Sequence, residues 1–460
     1  MQFYNKKITP IFIATASALS GILFGYDVGV MASAMLFIQK DFHLSAQQAG
    51  LVVSLVPFGA LLASMLSSKI NQHFGRKKSL WMVALLFIVG TLISVFSSTV
   101  IILMFGRLLL GIAIGMGSCI SPVYTAELSD EKHRGSLVNI FVLMIQSGIF
   151  LSFMIGHLFS LHGAWRLMMG VGLFPAVLLL ACVALLPESP RWLVMKGKQQ
   201  EAFLILKCLT NDTAAKRTID SINRLVMRDS QQRSLKWITS PIFLKCLWVG
   251  ILVSFFTQTV GINMLNYYAP MIFQQSGFST PQQSTAMTML MGLMLVISTT
   301  ASLFFVDRVG RRRLLLFAMK GILTSLLLIA CAFLFIRQPA QLGWTVFIGT
   351  LIFMLFHGAG IGPACFLIPA EIFPIRMREL GMGISVASNW GANVLVAACV
   401  PIGLLSLGPA NLFLLFFFVS AMGYILFWLF VPETKGMSLE SIEQQMHLSN
   451  QYASNSKPIR

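Results

Sequence analysis

Long apolar segments alternate with short polar connections along almost the whole chain. A helix that spans a bilayer needs about 20 mostly apolar residues, and twelve segments reach roughly this length. They lie at about residues 8–37, 47–68, 79–97, 100–125, 137–160, 165–186, 242–274, 283–306, 314–336, 342–372, 380–405 and 409–431. The pattern therefore predicts an all-α membrane protein with twelve transmembrane helices.

Composition and charge support this class of protein. Hydrophobic residues make up 56% of the 460 residues and charged residues only 11%, which argues against a soluble enzyme. The net charge of +17 comes mainly from connections on one side, because only Lys40, Arg166 and Arg337 lie in the opposite connections. The positive-inside rule explains this excess without a nucleic-acid partner and predicts that both termini are cytoplasmic. The seven cysteines are scattered, so we predict no disulfide, metal site or cofactor.

Asp27 is the one carboxylate in the middle of an apolar segment. A charge at such a depth costs at least about 2.5 kcal/mol, so it is usually paired or faces a cavity and marks an ion path. Arg107, deep inside the fourth segment, is the predicted partner. Closing the pair stabilises the charged carboxylate and opening it favours protonation, so the pair could couple transport to protons. A purely structural ion pair is the alternative.

The same charged motifs occur in both halves of the chain at nearly equal displacements. Phe74-Gly75-Arg76-Lys77 recurs as Val309-Gly310-Arg311-Arg312, Ala126-Glu127 with Arg134 recurs as Ala370-Glu371 with Arg378, and Pro187-Glu188-Ser189 recurs as Pro432-Glu433-Thr434. This repeat predicts two pseudo-symmetric six-helix halves in parallel orientation, with the substrate bound between them.

The repeated charges are predicted to form a cytoplasmic latch that pairs across the two halves in one conformation and separates in another. Its predicted members are Arg76, Glu127, Arg134, Glu188, Arg311, Glu371, Arg378 and Glu433. Anchoring of the helices by positive charges is the alternative, but it leaves the matched glutamates without a role.

The predicted domain organisation follows from these motifs. Residues 1–189 form the first half, residues 190–241 a cytoplasmic linker, residues 242–436 the second half and residues 437–460 a cytoplasmic tail. Apolar residues recur at helical spacing in the linker, which predicts short amphipathic helices there, and Met437-Ser438-Leu439-Glu440 begins a further short helix.

Across essentially its whole length the chain resembles the sugar porter family of the major facilitator superfamily. The resemblance lies in the motifs above and in Phe24-Gly25-Tyr26-Asp27, Pro190-Arg191-Trp192, Gly261-Ile262-Asn263 with Tyr267-Tyr268, and Ser388-Asn389-Trp390 with Asn393. It implies the major facilitator fold, alternating access and a hexose, pentose or polyol substrate. It also implies that an Asp at position 27, with Arg107, couples transport to protons.

The resemblance assigns substrate binding to neutral amides and aromatic rings, which suit a polyhydroxy compound. These residues are Gln258, Asn263, Phe366, Asn389, Trp390 and Asn393, with Tyr267 and Tyr268 as the extracellular gate. The five-residue spacing of Gln258 and Asn263 predicts a break in the seventh helix. The sequence departs from the family at Val142, Thr257, Leu295 and Phe366, and Gln146, one turn after Val142, is the predicted replacement for the missing amide. Helix-to-helix hydrogen bonding is the alternative role for any one amide.

The sequence thus predicts a proton-coupled monosaccharide or polyol symporter of a bacterial inner membrane, functional as a monomer. Its expected partners are a small sugar or polyol, a proton and the lipid bilayer. A porter or facilitator for another small polar solute and a multidrug:proton antiporter are the alternatives, and a transporter-like sensor is disfavoured by the short tail. An enzyme is the least favoured class, because no nucleophile, base or metal cluster is apparent.

Overall fold

The computed structural model describes residues 9–129, 134–209, 212–231, 240–373 and 378–433, and all regular elements in these ranges are helices. The helices are α1 Pro10–Asp41, α2 Ala46–Phe74, α3 Arg76–Val95, α4 Val100–Glu127, α5 Arg134–Phe159, α6 Trp165–Gly170, α7 Leu173–Leu185, α8 Pro190–Met195, α9 Gln199–Leu209, α10 Asp212–Gln231, α11 Pro241–Thr259, α12 Ile262–Ser276, α13 Pro281–Val309, α14 Arg311–Phe335, α15 Pro339–Phe356, α16 Gly362–Ile372, α17 Arg378–Ser406 and α18 Gly408–Phe430. A π-helical segment, His357–Ile361, joins α15 to α16.

Twelve helical stretches in the described ranges are long and apolar enough to cross a membrane, and each overlaps one predicted segment. The predicted number of spans and the all-α class are therefore confirmed. The sixth span consists of α6 and α7, the seventh of α11 and α12, and the tenth includes the π-helical segment. The break between Thr259 and Ile262 confirms the interruption predicted for the seventh span.

The N-terminal half is held together by very close helix packing. α1 lies against α5 along much of its length. A Cβ atom at Gly25 would overlap the backbone of Ile145, and a Cβ atom at Gly148 would overlap the backbone of Ile22. Small residues allow such backbone contact inside a membrane, where packing rather than the hydrophobic effect holds helices together. The two backbones therefore touch directly beside Asp27.

The two halves meet along several helix pairs. α2 packs against α17, α5 against α13, and α1 against α12. Most arginines and lysines lie on the side of the bundle that contains the α2–α3 turn. We call this side the basic face and the other side the opposite face. Each pair brings an N-terminal helix against a C-terminal one, so the centre of the bundle is an interface between the halves.

Three helices, α8, α9 and α10, follow the sixth span at the basic face. α8 and α9 are short, as the periodicity of the linker predicted, whereas α10 has 20 residues. Their apolar residues Leu193, Ala202, Leu206 and Ile219 are buried and belong to the same hydrophobic cluster as Val183 of α7. These helices are therefore packed onto the N-terminal half. The helix predicted to start at Met437 lies outside the described residues.

Candidate transport site

Asp27 and Arg107 form the ion pair that the sequence predicted. Oδ1 of Asp27 in α1 lies 2.5 Å from an η-nitrogen of Arg107 in α4, and the exposed fractions of the side chains are 3% and 0%. The second carboxylate oxygen, Oδ2, and two of the guanidinium nitrogens have no hydrogen-bonding partner among the described residues. The pair is thus fully buried, and one carboxylate oxygen and one guanidinium nitrogen make its single described hydrogen bond.

A chain of amides connects the seventh span to α17. The side-chain nitrogen of Asn263 donates to Oε1 of Gln258, and Nε2 of Gln258 donates to Oδ1 of Asn389 at 3.2 Å. Nδ2 of Asn389 donates to the carbonyl of Ser254, also at 3.2 Å. The break after Thr259 brings Gln258 and Asn263 together, which a continuous helix would not do at a spacing of five residues. Three of the predicted substrate-binding residues therefore form one polar group.

The tyrosines predicted as a gate are fully buried, with exposed fractions of 1% for Tyr267 and 0% for Tyr268. The hydroxyl of Tyr267 donates to Oδ1 of Asn393 at 3.4 Å, and that of Tyr268 donates to the carbonyl of Ala397 at 2.8 Å. Both bonds tie α12 to α17. Tyr267 also lies within electrostatic range of Asp27 and Arg107.

The remaining predicted binding residues occupy different environments. Trp390 of α17 is buried and packs against Phe24 of α1, with ring centroids 5.3 Å apart, so this contact crosses between the halves. Gln146 of α5 is partly buried, and its Oε1 atom has no partner in the described ranges. Gln146 does not join the amide chain. The side chain of Phe366 lies outside the described part of the structure.

At the basic face of the N-terminal half, Glu188 and Glu127 make distinct contacts. Oε1 of Glu188 accepts hydrogen bonds from the backbone N–H groups of Arg76 and Lys77 at 2.8 and 3.2 Å. The first N–H groups of a helix have no partner within it, so this carboxylate caps the start of α3. Glu127 pairs with Arg76 at 2.8 Å and accepts a hydrogen bond from Ser189 at 2.5 Å.

The C-terminal half repeats this arrangement. The carboxylate of Glu433 accepts from the backbone N–H groups of Arg311 and Arg313 at 3.0 and 3.4 Å. Nε of Arg311 lies 3.1 Å from Oε1 of Glu371. Gly75 and Gly310 precede the two capped helices with φ values of +88° and +100°, a backbone conformation that favours glycine. The motif repeat therefore corresponds to a repeated local structure.

Among the described contacts, the ion pairs of the predicted latch all lie within one half. Arg76 pairs with Glu127 and Arg311 with Glu371, while Glu188 and Glu433 bind backbone N–H groups of their own halves. The pairing across the halves that the sequence analysis assigned to one conformation stays a prediction. The side chains of Arg134 and Arg378 lie outside the described residues.

Three features of these sites were not predicted from the sequence. The first is helix capping by Glu188 and Glu433. The second is the hydrogen bond from Ser189 to Glu127. The third is the buried ring of His357. A lone histidine in an apolar span was the signal for the last of these.

A cleft of about 540 Å³ opens at the opposite face between the two halves. Phe37 and Lys40 of the first span line it on one side, and Met271 and Gln274 of α12 line it on the other. None of the predicted substrate-binding residues lines this cleft. It therefore lies outside the buried tyrosines and is separate from the amide chain.

Comparisons with known proteins agree with this architecture. The family described as "Sugar (and other) transporter" matches residues 13–446. The galactose-proton symporter of Escherichia coli is 35% identical over 96% of this chain and 95% of its own length, and the arabinose-proton symporter of the same species is 34% identical over 95% and 93%. A solved inward open structure of the xylose transporter XylE of Escherichia coli has a TM-score of 0.82 and 26% identity, and the match covers 95% of this chain and 99% of that one. The chain therefore belongs to the sugar transporter family and has the major facilitator fold.

Proposed function

We propose that the protein couples the uptake of a monosaccharide or polyol to the entry of a proton, by alternating access across a bacterial inner membrane. The basic face is cytoplasmic, in accordance with the positive-inside rule, and the monomer is the working unit. The substrate class is supported by the galactose-proton and arabinose-proton symporters among the relatives. It is also supported by the neutral amides of the C-terminal half, since uncharged hydroxyl groups need donors and acceptors rather than ions.

The observation that carries the coupling is the buried pair of Asp27 and Arg107. A buried ion pair is expensive to maintain and strongly destabilised if one partner is removed, so it is suited to a site whose charge changes during a cycle. In the proposed cycle Asp27 binds a proton when the pair opens towards the outside. Closing the pair against Arg107 releases the proton, and Oδ2, which has no partner here, is the atom available to carry it.

The amide chain supplies the proposed substrate contacts. Asn263, Gln258 and Asn389 satisfy one another in this conformation. A substrate hydroxyl both donates and accepts, so it can replace one of these amide-to-amide bonds without leaving a buried polar group unpaired. Substrate binding therefore exchanges one set of hydrogen bonds for another. The net gain in binding free energy depends on how many substrate hydroxyl groups reach the amide chain.

We infer that the structure lies on the inward-facing side of the proposed cycle, and the buried tyrosines support this inference. Tyr267 and Tyr268 are inaccessible and hold α12 against α17 on the side of the opposite face. The likeness to an inward open structure of a related transporter supports this assignment. Opening the outer gate would separate α12 from α1, on which Asp27 lies.

Uptake of a panel of labelled pentoses, hexoses and polyols by whole cells, with and without a protonophore, tests the proposal. We expect one or a few substrates to accumulate against their gradient and the protonophore to abolish that accumulation. Uptake that only equilibrates, and is unaffected by the protonophore, would establish a facilitator instead. Efflux of unrelated amphiphilic compounds without sugar uptake would establish a multidrug antiporter.

A further inference from the structure

Lys320 lies within the ninth span but not in the interior of the bundle. It follows the first residue of α14, Arg311, by nine positions, which is about 13 Å along the helix axis. Its side chain is exposed. Charged residues within spanning helices normally face the bundle interior or a water-filled cavity, and Asp27 and Arg107 follow this rule. Lys320 is therefore placed where a lipid-facing residue is expected.

Lys320 belongs to the exposed face of α14. The exposed residues recur at spacings of three and four, which lie on one face of a helix. They are Arg313, Phe317, Lys320, Thr324 and Leu327. The residues that pack into the bundle, among them Leu315, Ala318 and Ile322, lie on the other side and are almost fully buried. Lys320 is thus near the centre of the lipid-facing stripe, seven residues after Arg313.

The depth of Lys320 suits a side chain that reaches the headgroups. The hydrocarbon core is about 30 Å thick and takes about 20 helical residues, so counting back from Phe335 places its boundary near Leu316. Lys320 is then about 6 Å inside the core. The Cα–Cβ bonds of a helix tilt towards its N-terminus, which for α14 lies at the basic face. A lysine stem can follow this direction and bring the ammonium group to the headgroup level.

We propose that Lys320 and Arg313 form a binding site for the phosphate of an anionic phospholipid in the leaflet at the basic face. The two cations lie on one face of α14 at successive depths, and the apolar surface of Phe317 between them packs against the acyl chains. Arg313 contacts the phosphate from the side of the water, and Lys320 contacts it from below. The inference is independent of which substrate the protein transports.

A second copy of the chain is a less suitable occupant. It would have to bring a carboxylate to the ammonium group at the edge of the hydrocarbon core. The glutamates that the structure describes at the ends of the spans on this face, Glu127, Glu188, Glu371 and Glu433, already bind groups of their own half. A phospholipid presents its phosphate at this depth beside every spanning helix.

Native mass spectrometry of the full-length protein tests the site. Purified protein in detergent is titrated with phosphatidylglycerol, with phosphatidylcholine of the same acyl chains, and with soluble glycerol phosphate. We expect tighter binding of phosphatidylglycerol than of the other two, and about five-fold weaker binding of phosphatidylglycerol by Lys320→Leu. Arg313→Gln should weaken it similarly, whereas Lys320→Arg should retain most of it.

Lys69→Leu is the matched control, because Lys69 is an exposed lysine near the end of α2 at the same face but outside this stripe. The proposal is wrong if Lys69→Leu and Lys320→Leu lose phosphatidylglycerol equally, or if wild-type protein does not distinguish the two phospholipids. Competition by glycerol phosphate at the same concentration would indicate a free-phosphate site instead. A dimer that dissociates only in Lys320→Leu would identify a second copy as the occupant. Thermal unfolding without added lipid confirms that each variant is folded.

Discussion

The two halves are alike at the basic face and unlike at the middle of the membrane. At the basic face each half has a glycine turn, a glutamate that caps the following helix and an arginine paired with a second glutamate. In the middle, the N-terminal half contains a buried ion pair and the C-terminal half contains a chain of amides. Among the described residues, the glycine turn, the cap and the arginine–glutamate pair are therefore repeated, whereas the buried ion pair and the amide chain each occur in one half.

In the proposed function this difference separates two tasks that have opposite requirements. A site that binds and releases a proton needs a charge whose surroundings change, while a site for hydroxyl groups needs neutral donors and acceptors that stay in place. Placing them in different halves lets each be formed by its own helices. The proposed cycle requires the two sites to be coupled, and Tyr267, which bonds to Asn393 and lies within electrostatic range of the ion pair, is the proposed link.

The largest effect is expected from Asp27→Asn, which keeps the shape of the side chain but removes its charge and its proton. Accumulation of substrate should fall to the equilibrium level, while exchange of substrate between the two sides continues. Proteoliposomes with an imposed pH gradient measure accumulation, and counterflow measures exchange. Because Arg107 would be left as an unpaired buried charge, at a cost of about 3–5 kcal/mol, Asp27→Asn with Arg107→Gln serves as the control. Wild-type accumulation by Asp27→Asn would exclude Asp27 as the coupling site.

Arg107→Ala should bind substrate but fail to accumulate it. Removing the fixed positive charge makes the ionised carboxylate of Asp27 less stable, so the protonated form should persist to higher pH. Proton uptake by purified protein on addition of substrate, measured from roughly pH 5 to pH 9, should therefore extend to more alkaline values than in the wild type. A profile that superimposes on the wild-type profile would reduce the pair to a structural contact.

Asn263→Ala and Gln146→Ala test whether the substrate also contacts the N-terminal half, through Gln146, as the sequence analysis predicted. Each should weaken substrate binding by about 1–3 kcal/mol, because a hydroxyl group or an amide in the closed site loses its partner. Isothermal titration calorimetry measures the loss. Unchanged binding by Gln146→Ala would show that Gln146 has no contact with substrate, and would sharpen the division between the halves.

The smallest effects should come from Glu188→Ala and Glu433→Ala, which remove the repeated caps of α3 and α14. Each should lower the free energy of unfolding by about 1 kcal/mol. The two losses should be similar if the repeated capping structures are equivalent. Glu201→Ala is the control, because its pair with Lys198 is exposed, with 55% of each side chain accessible, and should contribute little. Thermal unfolding in detergent measures these losses. A clear difference in stability between the two variants would show that the two capping structures are not equivalent.

The sequence predicted those features that depend on a strong local signal. The spans follow from long apolar segments, and the ion pair follows from the two charges that lie deep inside them. The break of the seventh span follows from an unfavourable spacing of Gln258 and Asn263. In each case the residue types alone show that another arrangement would leave apolar surface in water or a charge unpaired in the membrane.

What the sequence did not predict depends on backbone groups and on packing. Glu188 and Glu433 bind backbone N–H groups, which every sequence contains and which only the folded turn brings together. The π-helical segment at His357–Ile361 packs against α13 and α14, and no residue type in it requires that conformation. The closing of the amide chain on itself depends on the approach of α17 to α11, which is a property of this conformation.

The backbone contact between α1 and α5 has a mechanical consequence. Where the position of Gly25 touches the backbone of Ile145, neither helix can rotate or slide past the other without a clash. Asp27 is two residues from this contact on one helix, and Gln146 is the next residue on the other. In the proposed cycle these two side chains therefore move together as one rigid body. Arg107, on α4, is then the member of the ion pair that is displaced when the pair opens.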